Sequence, residues 1–175
     1  LGLWQTSLTN QLCVQINPRS GICCPEDHLI FFRFIGRVMG KALFDAELVN
    51  GHMCSYMYKH MLGWPVMFND LKDVDEEYYS SLKGLKKYGQ DIEHFCVNFT
   101  VVEEVFGMKK TVDLVSGGTD INLTQDNLPE YIEACLMYRL LGRYDAQLNE
   151  LLLGFFDVIP DSLLVIFDFQ EIELL

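Results

Sequence analysis

Three observations predict an α+β fold. Residues 31–44, FFRFIGRVMGKALF, are almost wholly apolar around a charge repeat of four, the signature of a helix. The runs FCVNFTVV and KTVDLV are rich in β-branched and aromatic residues and lie on either side of Phe106-Gly107, as the arms of a hairpin do. From YIEACLMYRLL to the end the pattern is helical again, so the β-structure is flanked by helices on both sides.

Residues 11–16, QLCVQI, alternate like a strand and run into the turn NPRSG, after which Pro25, Glu26 and Asp27 supply an acidic start to a helix that ends near 44–46. Gly36 and Gly40 stand four apart in that helix, the spacing that lets two backbones approach closely and recurs in bilayers. A membrane span is excluded by Arg33, Arg37 and Lys41, which stack into one basic stripe, since a spanning segment needs about 20 residues with few charges. The expectation is a largely buried central helix. Phe31, Phe32, Phe34, Ile35, Val38, Met39, Ala42 and Leu43 cover the rest of its circumference, and its glycines admit a crossing neighbour.

A second helix is predicted over 51–62, stopped by Gly63 and Trp64-Pro65. The segment DVDEEYYSSLKGLKKYG opens acidic and closes with Lys86, Lys87 and Gly89, which places a helix over 75–87 with each charge where the helix dipole favours it. The hairpin follows, then a Ser116-Gly117-Gly118 turn, a short strand INLT, and a helix capped by Asp126 or Asn127 with Pro129 in its first turn, reaching about Leu141. Gly142 marks a break. Beyond Tyr144 the chain is helical, with Pro160 opening one short helix and FDFQEIELL another whose apolar edge, Ile172, Leu174 and Leu175, has no cap, so continuation of the natural chain is expected.

A length of 175 residues fits one domain, or one with a subdomain, able to bury about 70% of its unfolded surface. The net charge is -12 and unevenly spread: residues 1–74 hold six basic and six acidic residues, residues 75–175 seven against nineteen. That field disfavours nucleic acid and membrane surfaces and favours a basic protein partner. The cysteines Cys13, Cys23, Cys24, Cys54, Cys96 and Cys135 sit in apolar contexts in a chain large enough to need no staples, so reduced thiols in the cytoplasm or nucleus are expected despite two Asn-X-Thr sequons. No signal peptide, transit peptide or lipidation motif is visible, and the chain begins at Leu1 without Met.

Cys23-Cys24 with His28, and His52 with Cys54, lack a paired C-x-x-C repeat, so neither a metal nor any cofactor is expected. His94 and Cys96 stand two apart in a strand pattern, on one face, but within an apolar run where a thiol is inert. Tyr78, Leu82 and Leu85 form a stripe on the helix over 75–87, and Tyr131, Cys135 and Tyr138 repeat that spacing on the later helix. Periodicity alone does not say whether such stripes face a core or a groove.

The succession FFRFIGRVMGKALF, YKHMLGWPVMFNDLKDVDEEYYSSLKGL, VEEVFG, VDLVSGGTDINLT, EYIEACLMYRL and FFDVIPDSLLVIFDFQEIELL, with QINPRSG before the central helix, resembles the amino-terminal lobe of a HECT-type ubiquitin ligase domain over essentially the whole chain. The resemblance implies a mostly helical large subdomain (1–74 and 141–175) interrupted by a small α/β subdomain (75–140). It implies a ubiquitin-protein transferase whose partners are a ubiquitin-conjugating enzyme, ubiquitin, and a protein substrate held through regions outside this chain. By position, a groove for a loop of the conjugating enzyme would use Tyr78, Leu82, Leu85, Phe95, Val97, Tyr131 and Cys135, the last replacing a frequent aromatic. The family nucleophile lies in a separate carboxy-terminal lobe in a His-Thr-Cys context. The six cysteines here follow Leu, Ile, Cys, Met, Phe and Ala, so the chain is expected to hold no catalytic residue and to be inactive alone. Some members also hold a second ubiquitin near the aromatic matched by Phe44, which is read here as packing. The competing reading is a non-catalytic acidic interaction module of the same fold.

Overall fold

Glycines set the closest contact in the molecule. In the computed structural model, which describes residues 2–47, 51–105, 107–164 and 167–173, the central helix α2 (His28–Asp45) lies against α7 (Asp145–Phe156). A Cβ on Gly36 would stand 2.0 Å from the Leu151 carbonyl oxygen, and one on Gly154 would stand 2.0 Å from that of Arg33. At Gly40 it would meet the Phe155 carbonyl at 2.9 Å. Both helices therefore contribute small residues to one contact, and the spacing read from the sequence serves a water-soluble packing. The basic stripe flanks that contact: Arg37 pairs with Asp157 at 2.8 Å, and Arg33 reaches Asp157 at 3.4 Å and Glu150 at 3.5 Å. Lys41 pairs with Asp45 on its own helix.

The expectation of a largely buried α2 fails on one side. Phe32, Gly36 and Gly40 are buried, but Ile30, Phe34 and Val38, one turn apart, are exposed. The cause is the narrow contact with α7, which takes the glycine face only. Phe44 is likewise 71% exposed, with Lys41 5.6 Å above its ring, so it does not pack. The acidic residues Glu26 and Asp27 precede the first turn, and Ala46 closes the helix in the left-handed conformation.

The strand predicted over 11–16 shortens to β2 (Val14–Ile16), which pairs antiparallel with β1 (Trp4–Thr6), Trp4 opposite Ile16. A short α1 (Ser20–Cys23) follows, and Trp4 packs edge-on against Phe32 at 5.8 Å. The second predicted helix is trimmed to α3 (Ser55–Met61) because residues 52–54 pair with Val14 instead, through Val14 N–H to His52 and Cys54 N–H to Val14. An unpredicted turn of helix, α4 (Asp70–Val74), precedes α5 (Glu76–Leu85), and the extended backbone of Asp75 separates them.

Strand β3 (Thr100–Val105) and β4 (Met108–Asp113) form the predicted hairpin, with Glu103 opposite Lys110 and Glu104 opposite Lys109. Opposite charges across a strand pair stabilise it by a few tenths of a kcal/mol. Phe106 of the turn lies outside the described residues, as do Leu174 and Leu175 of the terminal pattern. The strand INLT reduces to a single bridge between Asn122 and Asn98. Helix α6 (Leu128–Leu140) begins after Asn127, whose side chain turns back to the Thr124 N–H rather than into the helix. Gly142–Tyr144 form a 3₁₀ turn, and α8 (Asp161–Leu164) and α9 (Phe169–Glu173) follow α7. Inside, Tyr56 of α3 donates its hydroxyl hydrogen to Tyr144, which donates its own to the Leu140 carbonyl.

Gly36→Ala is expected to lower unfolding stability by about 3 kcal/mol or more, because the carbonyl it strikes is backbone and yields only if the helices part. Gly84→Ala on α5 meets nothing within 4 Å and is expected to raise stability by about 0.5–1 kcal/mol. Denaturant titration of both variants checks the pair.

Candidate docking site

Helix α5 starts at Asp75, whose carboxylate accepts the Tyr78 N–H at 3.0 Å and also binds Arg139 from α6. The Arg139 guanidinium then lies 5.4 Å from the centre of the Tyr78 ring. One arginine thus ties the start of α5 to the end of α6 and brings their stripes face to face. A second tie, Arg143 to Glu103 at 2.7 Å, fastens β3 to the turn after α6.

Where the stripes meet, the Cys135 thiol faces the hydroxyls of Tyr78 and Tyr131. Burial pushes the Cys135 thiol up, and it likewise holds both phenols well above the usual tyrosine range. These groups are neutral hydrogen-bonding partners at neutral pH. Phe99 closes the far side, edge-on to Tyr131 at 5.3 Å.

The seven predicted groove residues separate into two sets. Cys135 is 0%, Leu82 4% and Tyr131 8% exposed, so these three belong to the hydrophobic core and not to an open groove. The two tyrosines converge on the Cys135 thiol and hydrogen-bond to it. Tyr78, Leu85 and Val97 are half-buried, and Phe95 is 45% exposed. Phe95 and Val97 are also not in a strand. Residues Gly89–Phe95 form a 3₁₀ helix moored by Ile92, and Cys96 leaves it with φ +50°, outside the strand region. This places His94 and Cys96 at a turn, where the exposed thiol donates only to the His94 carbonyl. Sequence reasoning missed Tyr88, which is 49% exposed against Phe95; its signal was its position three residues after Leu85, at helical spacing. On these elements Glu76, Glu77, Asp91, Glu93, Glu130 and Glu133 are exposed, against exposed Lys83, Lys86 and Lys87, so the surface is mixed in charge with an acidic excess.

All six cysteines are free. Among the described residues no three His, Cys, Asp or Glu side chains converge as a metal site would require, and no helix is long and apolar enough to cross a membrane.

The chain belongs to the HECT domain (ubiquitin-transferase) family, whose model matches residues 1–175. It is 40% identical over 174 residues to the human E3 ubiquitin-protein ligase NEDD4, which covers 99% of this chain and 13% of that protein. The Drosophila melanogaster E3 ubiquitin-protein ligase Nedd-4 is 38% identical over 99% of the chain, and the Schizosaccharomyces pombe E3 ubiquitin-protein ligase ptr1 is 41% identical over 85%. The chain spans only 17% and 5% of those two relatives.

The buried thiols and phenols give a pH prediction. Cys54 is pushed up to about 12 by burial, from an ordinary 9.0, and Cys135, Tyr78 and Tyr131 are raised for the same reason. Above about pH 9 the unfolded chain loses these protons while the native one keeps them, so the unfolded state binds fewer protons and stability falls as pH rises. The denaturation midpoint is expected to hold level between about pH 7 and 8.5 and to drop above it, and alkylation at neutral pH to mark Cys23 and Cys96 before Cys54 and Cys135.

Proposed function

We propose that this chain is the amino-terminal lobe of a HECT-type ubiquitin-protein ligase and docks a ubiquitin-charged conjugating enzyme on residues 75–140, in the cytoplasm or nucleus. Ubiquitin then passes to a cysteine of a carboxy-terminal lobe, and from there to a substrate lysine. The observation that carries this reading is that Phe95 is 45% exposed and Tyr78, Leu85 and Val97 are only half-buried, although Leu82, Tyr131 and Cys135 are sealed in the core. Large side chains held out of a core by rigid backbone are what interface anchors require. The acidic residues around them steer a basic partner surface, raising the rate of encounter.

The burial of Leu82, Tyr131 and Cys135 also favours a second reading, an acidic interaction module of the same fold whose groove has closed. A binding titration against a panel of conjugating enzymes separates the two. Docking by at least one enzyme, weakened by about 1.5–2 kcal/mol in Phe95→Ala, is the expected result, and retention of none rejects the docking role. The same chain, offered charged enzyme, is expected to form no reducible ubiquitin adduct. Phe44, being exposed, is also available to free ubiquitin, which chemical-shift perturbation at that residue would register.

A further inference from the structure

Helix α2 turns to solvent a seam that its own packing does not use. At about 100° per residue, Ile30, Phe34 and Val38 lie on the side turned away from Gly36, Gly40 and α7. They are 65%, 60% and 44% exposed. Asp27, just before the helix, and Lys41 and Asp45, near its end, are exposed on the same side, so an apolar strip runs from an acid at one end to a base at the other. The Asp27 side chain makes no cap to the helix. Lys41 pairs with Asp45 on its own helix, an exposed pair that holds it weakly. Beside Val38 the surface is hollowed by about 430 Å³ between α2 and Val158, room for a branched side chain.

We propose that this seam is a self-association face, on which two copies of the chain pack α2 against α2, antiparallel about a two-fold axis at Phe34. The charges select that register. It brings the two Phe34 rings together, sets Ile30 beside Val38 of the second copy and its hollow, and puts Asp27 opposite Lys41 of the second copy, twice by symmetry. An antiparallel register centred on Gly36 sets Asp27 against Asp45, and a parallel pairing sets every charge against itself, so both carry a repulsion that the first lacks. A strip from residue 27 to residue 41, about 21 Å long and about 10 Å wide, buries on the order of 400 Å² per copy. That is small for a permanent dimer, so association is reversible, with a dissociation constant on the order of 10–100 μM. Helices α5 and α6 and the β3–β4 hairpin take no part, and the docking role stands or falls separately.

Sedimentation equilibrium over roughly 1–500 μM, a range that brackets this affinity, tests the inference. The wild-type chain is expected to pass from monomer to dimer. Phe34→Asp is expected to stay monomeric with its thermal unfolding still cooperative, because the side chain it replaces lies largely outside the core. Asp27→Lys and Lys41→Glu are each expected to weaken the dimer about tenfold alone. Mixed one to one, these two variants are expected to associate like wild type, because each mixed dimer again holds two pairs of opposite charge. A wild type that stays monomeric throughout, a dimer that survives Phe34→Asp, or charge variants whose mixture recovers nothing would overturn the inference. So would a monomer whose Phe34 resonances move on addition of ubiquitin, or a longer monomeric piece of the same protein in which the seam is shielded, since each assigns the face to another occupant.

Discussion

The approach of α2 to α7 is the constraint on which the rest of the architecture hangs. Backbone carbonyls of Leu151 and Arg33 sit where side chains of the facing helix would ordinarily begin, so three glycines define one permitted distance and crossing. The rest follows from that separation. Arg33 and Arg37 reach Asp157 only because the helix axes are close, and the Asp157 carboxyl, lowered mainly by its hydrogen bond from Arg37, stays ionised as their counter-charge. These pairs are solvent-exposed and add little to stability. Their value is in orientation, since a carboxylate shared between two guanidinium groups penalises a shift of register along α2.

The α/β part is organised by a different principle, convergence on a small atom. Cys135 leaves room for the rings of Tyr78 and Tyr131 to meet, and Arg139 clamps the helices that carry them. The outcome is a rigid, sealed base. Beside it, Tyr78, Leu85 and Val97 are only half-buried against the core and Phe95 is exposed.

Periodic features were legible in the sequence and sign changes of the backbone were not. Helices α2, α5 and α6 and the β3–β4 hairpin announce themselves by apolar spacing, end charges and β-branched runs, and the family was readable from motifs distributed along the chain. Residues 95–98 misled because FCVN has strand composition, while one left-handed cysteine decides the local path and no composition rule predicts φ > 0 there. The stripes Tyr78–Leu82–Leu85 and Tyr131–Cys135–Tyr138 were found correctly, but which of their members end up sealed depends on what lies opposite. Phe99 against Tyr131 is a contact across 32 positions of sequence, invisible to a local window. Exposure of Ile30, Phe34 and Val38 is the converse case, since an all-apolar circumference reads as burial whatever the width of the neighbour.

The hydroxyl relay from Tyr56 through Tyr144 to the Leu140 carbonyl lies in the core, where the two tyrosines are 1% and 2% exposed. Removing the first phenol oxygen would orphan an acceptor, and removing the second would orphan a donor together with a carbonyl, whereas losing both leaves a smaller deficit than the two single losses added. Positions 56 and 144 are therefore epistatic. Drift at either one is gated by the other, which couples α3 to the last turn of α6 over evolutionary time.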